Sequence, residues 1–475
     1  MRKWWPLTAV CLGAFMLLVD VTIVVVALPD MGEDLEADFT GLQWVIDGYA
    51  LALAALLLTI GSLADRWGLK RTYLVGLAAF TAASLSCGLA TSAGALVAAR
   101  AAQGAAAAAM FASAMALLNI AYRGKDRAVA FGVWGAVNGA AAAAGPVLGG
   151  LLTDHFGWQA IFLVNIPIGV IAIALSAKVL RESRHAGAGR FDTAGAALFT
   201  AWAVLTTYAL IHAGEHGWTD GGTLVPALAG SVALIAFVLV ERRRRAPMLD
   251  LRLFARPAFT GAMVAALLVS IAAFAYTIYT SLWLQGSLGL DPVDAGLAML
   301  PMSGAALVTS AALARPLHKV PPWTSIGAGL ALIGAGGLLQ SGLDADSSWT
   351  SLTLGLTVTG LGVGLCLPVL NAAAMSAVPP ERGGMASGAL NTARQIGMAL
   401  GIAALGTVFT DGLAGGSFAE PGTVATALNR TMVTAGAVGL AGAVLTAVLI
   451  SRRPKTPASQ AGNQSHQTRN SVGSS

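Results

Sequence analysis

Runs of about twenty apolar residues recur from one end of this 475-residue chain to the other, and that repetition limits its fold more than any other feature. A hydrocarbon core about 30 Å thick offers the backbone no hydrogen-bond partner, so a stretch of this length enters it as an α-helix, whose N–H and C=O groups satisfy one another. Charged residues make up only 11% of the sequence against 56% hydrophobic, which excludes an ordinary soluble domain. Fourteen such stretches can be read, the first from Trp5 to Pro29 and the last from Val424 to Ile450. The expected fold is an all-α integral membrane protein with 14 transmembrane helices. The eighth stretch (Thr223 to Val240) and the eleventh (Trp323 to Leu339) are the shortest, and the twelfth carries Pro368.

The basic residues test that count. All but Arg100, Arg394 and Arg430 of the 28 Lys and Arg fall at the amino end, in the tail, or on alternate connections, such as Arg66, Lys70 and Arg71 after the second stretch or Arg242 to Arg245 after the eighth. Retained basic loops mark the cytoplasmic side, so both termini are expected in the cytoplasm of a bacterial cell and the number of crossings is even. The net charge of +5 is thereby accounted for by topology, without a nucleic-acid partner. The first stretch is too long for a signal peptide and is interrupted by Asp20, so it reads as an uncleaved anchor. Cys11, Cys87 and Cys366 lie inside apolar stretches, which implies neither a disulfide framework nor a metal site. A bias to Arg over Lys and 57 glycines fit a GC-rich bacterial genome, such as an actinomycete's.

Two longer polar connections divide the chain. Residues 1–180 form an expected amino-terminal six-helix bundle, 181–257 two linker helices with basic loops, 258–450 a carboxyl-terminal six-helix bundle, and 451–475 a cytoplasmic tail too poor in apolar residues to fold.

Within this apolar background, Asp20 needs a reason. An ionised side chain at membrane depth costs about 2.5 to 3.5 kcal/mol on insertion scales and usually faces a partner or a wet path. Counted along ideal helices, Asp20 lies roughly 13 Å from the outer end of its stretch and Arg100 roughly 9 Å from the outer end of the fourth, so the opposite charges share a depth. Gln103 shares a helical face with Arg100, and Gly104 thins the helix beside them. The pair reads either as a proton-coupling site or as a static ion pair that holds the helices. Asp47, near the outer end of the second stretch, is a gating carboxylate or a solvated interfacial one. Arg394, in the thirteenth, is an anchor to a cytoplasmic gate or a structural donor.

Several ordered motifs carry a resemblance. Gly61-Ser62-Leu63-Ala64-Asp65-Arg66-Trp67-Gly68-Leu69-Lys70-Arg71 resembles the signature loop of the major facilitator superfamily, with Leu69 where a basic residue is usual; Asp65 is placed to accept bonds from a neighbouring helix N-terminus. Leu96, Arg100, Gln103 and Gly104 match a second pattern of that superfamily. Gly145-Pro146-Val147-Leu148-Gly149-Gly150 resembles its antiporter motif, with Ala141 in place of the first glycine. Asp20, Thr22, Ala27, Leu28 and Pro29 resemble the fourteen-span drug:proton antiporter branch, with Val25 in place of an asparagine. Trp158, Ile161, Phe162, Asn165, Pro167 and Gly169, and the run from Asn391 to Gly397, also look like that branch.

The resemblance implies the major facilitator fold, two six-helix bundles plus two additional helices, working as a monomer without a cofactor. It implies proton-coupled efflux of small amphipathic or hydrophobic compounds, antibiotics among them, and no enzymatic activity. Asp20 and Arg100 become the coupling groups, and Gly61, Asp65, Arg66, Gly68, Lys70 and Arg71 the conformational loop. The first, fourth, ninth and twelfth spans line a cavity in the family, so Thr22, Gln103, Tyr276, Tyr279 and Trp283 become candidate cavity residues, the three aromatics alternatively facing lipid or neighbouring helices. A facilitator or symporter of a small metabolite, or a transporter-like sensor, are the competing readings. The absence of a G-x-x-x-x-G-K-[ST] loop fits an exporter driven by the proton gradient.

Overall fold

The computed structural model describes residues 2–37, 39–183, 191–244, 247–313, 320–413 and 421–451. The tail beyond 451 and the basic residues Arg184, Arg190, Arg245, Arg315 and Lys319 lie outside them. Every regular element described is helical.

A 3₁₀ turn, Arg2–Trp4, leads into α1 (Trp5–Asp34), followed by α2 (Phe39–Trp67), α3 (Leu69–Gly88), α4 (Ala93–Ala121) and α5 (Gly124–Phe156). The sixth apolar stretch forms two pieces, α6 (Ala160–Leu163) and α7 (Asn165–Val179). Pro167 causes that break, since it has no N–H to return to the carbonyl four residues back. Then come α8 (Thr193–His216) and α9 (Gly221–Arg243). The ninth stretch is α10 (Pro257–Val269), a π-helical turn (Ser270–Ala275), α11 (Thr277–Leu282) and a second π turn (Trp283–Ser287). The tenth divides into α12 (Pro292–Ala298) and α13 (Leu300–Leu313), where Pro301 again removes a donor. The chain continues through α14 (Pro322–Leu339), α15 (Thr353–Ser376), α16 (Gly383–Leu413) and α17 (Pro421–Ser451).

Helix ends follow local chemistry. Ser92 accepts from Ala95 N at 3.3 Å to start α4, Asp192 from Gly195 N at 2.9 Å to start α8, and Asp220 from Gly222 N at 2.8 Å to start α9. Among the described residues, eleven segments are long and apolar enough to cross a membrane. Outside that set are α3, whose start is diluted by Lys70 and Arg71, α5, and the tenth stretch, which Pro301 shortens to the apolar helix Leu300–Leu313. The protein is a multi-pass membrane protein.

In the amino-terminal half, α2 and α3 pack on α4, and α1 packs on α5 and α7. In the carboxyl-terminal half, α14 lies against α15 and α17, α13 against α15, and α10 against α16 and α17. The halves meet where α16 crosses α2 and α4, and where α5 reaches α13 and α15. Helices α8 and α9 pair with each other, and α8 touches both α2 and α16, with Thr59 and Thr200 hydroxyls 3.1 Å apart.

Candidate functional site: a buried ion-pair network and an inter-half lock

Asp20 and Arg100 do meet. Arg100 Nη1 donates to Asp20 Oδ2 at 2.6 Å, and both side chains are closed to solvent. Arg100 Nη1 also reaches Gln103 Oε1 at 2.6 Å, and its Nε donates to the Val45 carbonyl at 3.2 Å. The guanidinium lies over the Tyr49 ring, 4.3 Å from its centroid, a cation–π contact that holds the plane.

Two further donors converge on the other carboxylate oxygen. Gln103 Nε2 lies 2.8 Å and Asn165 Nδ2 2.9 Å from Asp20 Oδ1. Both amides also donate to Ser84 Oγ, at 2.7 and 3.4 Å. The network therefore joins α1, α3, α4 and α7 through five buried polar side chains. Removing one member of such a network leaves another buried and unpaired, which costs far more than the pair contributes over an apolar substitute.

Thr22, two residues from Asp20, keeps its hydroxyl on the Leu18 carbonyl at 3.0 Å and lies against Gly145 of α5. A Cβ at Gly145 would overlap Thr22 Oγ1, and one at Gly149 would press on the Ile23 carbonyl at 3.0 Å. The small residues of the antiporter-like motif thus let α5 lie directly on the turn that carries Asp20. Gly150 faces Val293 of α12; the Pro146 side chain lies outside those described.

The second part lies at the end of the bundle where the basic connections gather. Asp65 Oδ1 and Oδ2 accept from Gly384 N at 2.6 Å and Met385 N at 2.8 Å, the free amides that open α16. A carboxylate there gains both the hydrogen bonds and the helix dipole. Gly61 and Gly388 make the approach possible: a Cβ on either would overlap backbone of the opposite helix, at Gly384 and Leu57. Beside this lock, Gly68 turns at φ 120, Arg66 lies over the Phe191 ring, and Lys70 Nζ donates to the Ala177 carbonyl at 2.6 Å. Lys70 N and Arg71 N donate to Glu182 at 3.1 and 3.2 Å, and Arg71 Nε lies 3.8 Å from the same carboxylate.

The aromatic trio differs from a cavity stripe. Tyr276 is fully buried, with Gln340, just past the end of α14, donating to its hydroxyl at 3.1 Å. Tyr279 donates to the Ile402 carbonyl of α16 at 2.6 Å and stacks near Phe409, and Trp283 is buried as well. The π turn before α11 shifts the phase of the helix relative to α10, so the face that carries these rings is turned onto neighbouring helices. Gln103 is likewise buried within the Asp20 network. The accessible surface of α4 at this level includes Ala98, Ala101, Ala102 and Ala105.

Several participants have no place among the candidate site residues read from sequence. Asn165 was visible as a polar residue inside an apolar stretch, and Glu182 as the acid of a basic connection. Ser84 and the Val45 carbonyl left no signal, because a serine and a backbone oxygen occur in any helix.

A family model described as Major Facilitator Superfamily matches residues 10–402. The chain belongs to the major facilitator superfamily. Its superfamily relatives include the multidrug resistance protein Stp of Mycobacterium tuberculosis, 38% identical over 403 residues that cover 85% of this chain and 75% of Stp. The puromycin resistance protein pur8 of Streptomyces alboniger is 37% identical over 466 residues, 95% of this chain and 92% of its own. The tetracenomycin C resistance and export protein of Streptomyces glaucescens is 34% identical over 408 residues, 86% of this chain and 76% of its own. Among solved structures, the human organic anion transporter MFSD10 superposes with a TM-score of 0.68 at 14% identity, covering 94% of this chain and 99% of that one, a likeness of fold alone. The superfamily consists of transporters, not enzymes.

Proposed function

We propose that the chain exports small amphipathic or hydrophobic compounds, antibiotics among them, in exchange for protons. The observation that carries this reading is the buried Asp20 carboxylate, held by Arg100, Gln103 and Asn165 at the turn where the antiporter-like motif of α5 meets α1. Protonation of Asp20 would remove the charge that Arg100 holds, and release of the guanidinium would loosen α4 from α1. Relatives named for resistance to puromycin or to tetracenomycin C support export as the direction.

In this reading the chain crosses the membrane fourteen times with both termini in the cytoplasm, an even count that the alternating basic connections support. The bundles 1–180 and 258–450 rock against each other around a central cavity, and 181–257 stands beside them. With the Asp65 lock engaged, the cytoplasmic end is closed. Opening it lets cargo enter, and neither a cofactor nor a second copy takes part. One proton moving down a driving force of ~150 mV supplies roughly 3.5 kcal/mol, enough for a concentration ratio of a few hundredfold.

Everted membrane vesicles test the reading. With a respiration-driven pH gradient reported by a fluorescent base, puromycin or tetracenomycin C is expected to collapse the gradient in part, and Asp20→Asn to abolish that response. Vesicles in which neither compound, nor any of a broad antibiotic panel, moves protons would count against it, as would full activity of Asp20→Asn.

A further inference from the structure

Arg394 is a charged side chain at depth that the Asp20 network does not use. It lies near Cys366 of α15, largely surrounded by protein yet with part of its surface accessible. Its direction follows from its neighbours along α16. Gly383 packs on Ala116 of α4, and Ser387 Oγ donates to the Phe111 carbonyl of α4 at 3.1 Å. Seven residues beyond Ser387, Arg394 returns to within about 20° of that direction, and seven further on Gly401 meets Ile271 and Ala275, in the π turn after α10. Arg394 therefore points where α16 leaves α4 and joins α10, with α15 alongside.

Among the described residues, no counter-charge is supplied there. The helices α4, α10, α15 and α17 contain neither Asp nor Glu. On α2, Asp65 is bound to the start of α16, and Asp47 is engaged in an interaction of its own. Glu215 on α8 and Asp411 on α16 stand near the far ends of those helices. Among the described residues, Arg394 makes no hydrogen bond and no ion pair. Asp20 is already paired with Arg100, so it offers Arg394 no free charge.

We propose that Arg394 is a cargo subsite: its guanidinium takes a carboxylate, or a comparably ionised acidic group, on an otherwise apolar amphiphile. A planar fork of donors suits a carboxylate, and at low local dielectric an anion relieves the cost of a lone buried cation. The exposed Ala98 and Ala102 of α4 offer the apolar part a small-residue surface. The proposal rests on the export reading, and it names the class of compound.

The test uses purified full-length protein and a matched pair of probes, coumarin-3-carboxylate and its neutral amide, with binding read by probe fluorescence. Wild type is expected to bind the acid at least tenfold more tightly than the amide. Arg394→Lys is expected to lower that preference part of the way, since an ammonium keeps the charge but not the planar fork, and Arg394→Gln to bring the ratio to about one with amide binding unchanged. A wild-type ratio near one, or a preference that survives in Arg394→Gln, overturns the subsite. Equal loss of both probes in a folded Arg394→Gln also overturns it, by making the residue structural; should that variant not fold, the wild-type ratio and Arg394→Lys still decide. Export itself is read separately, as resistance of cells to a neutral antibiotic, so a failed subsite and a failed export reading give different results.

Discussion

Replacing Asp65 by Asn should unlock one end of the transporter without touching the Asp20 network. Asp65 places both carboxylate oxygens on α16, at 2.6 and 2.8 Å from Gly384 N and Met385 N. An amide keeps one acceptor, loses the second, and loses the charge that the helix N-terminus favours. Hydrogen bonds to a charged group contribute about 1.5 to 3 kcal/mol each, so a net loss near 2 kcal/mol is expected. At 1.36 kcal/mol per decade, that is roughly a thirtyfold shift toward the state open at the basic end. Spin labels on Lys125→Cys and Glu381→Cys would report it as a distance distribution. Both positions are exposed, whereas the native Cys11, Cys87 and Cys366 are buried. Wild type should give mainly the short distance, and Asp65→Asn a substantial longer component. An unchanged distribution in the variant would refute the reasoning, since the lock would then contribute nothing to the conformational balance.

The same labels should show Gly388→Ala moving in the same direction, because its Cβ would meet the Leu57 carbonyl at 2.5 Å and backbone cannot yield as a side chain can. Arg100→Gln should lower thermal stability by about 3 to 5 kcal/mol by leaving the Asp20 carboxylate buried without its cation, and adding Asp20→Asn should recover much of that loss without restoring proton-driven accumulation. A double variant no more stable than the single would contradict the pairing. Tyr276→Phe should cost about 1 kcal/mol through the lost Gln340 bond, measured by thermal unfolding, with no change in the spectrum of compounds exported.

What could be read in advance follows from which interactions are periodic and local. Apolar length and alternating basic loops announce a helical membrane protein, because lipid imposes both along the chain itself. The pairing of Asp20 with Arg100 was legible because two opposite charges at one depth in an apolar setting have few alternatives, and helix rise fixes their depth. Asp65 was legible as an acceptor for a helix start, though which helix was not, since Gly384 lies more than three hundred residues away. The breaks at Pro167 and Pro301 were written in the sequence but are invisible to a ruler that counts only apolar length. The orientation of Tyr276, Tyr279 and Trp283 depends on the π turn before α11, which no simple period encodes. Arg394 stood out as a charge, but its surroundings depend on the absence of acids from four helices that are brought together only by folding.

The central claim is that Asp20 couples cargo to protons, and reconstituted vesicles with an imposed pH gradient test it most directly. Wild-type protein should accumulate a transported compound uphill when the gradient alone is applied. Asp20→Asn should lose that accumulation entirely while still exchanging labelled for unlabelled compound across the membrane, because the cavity is intact and only the link to protons is cut. Gradient-driven accumulation by Asp20→Asn at the wild-type level would contradict the account.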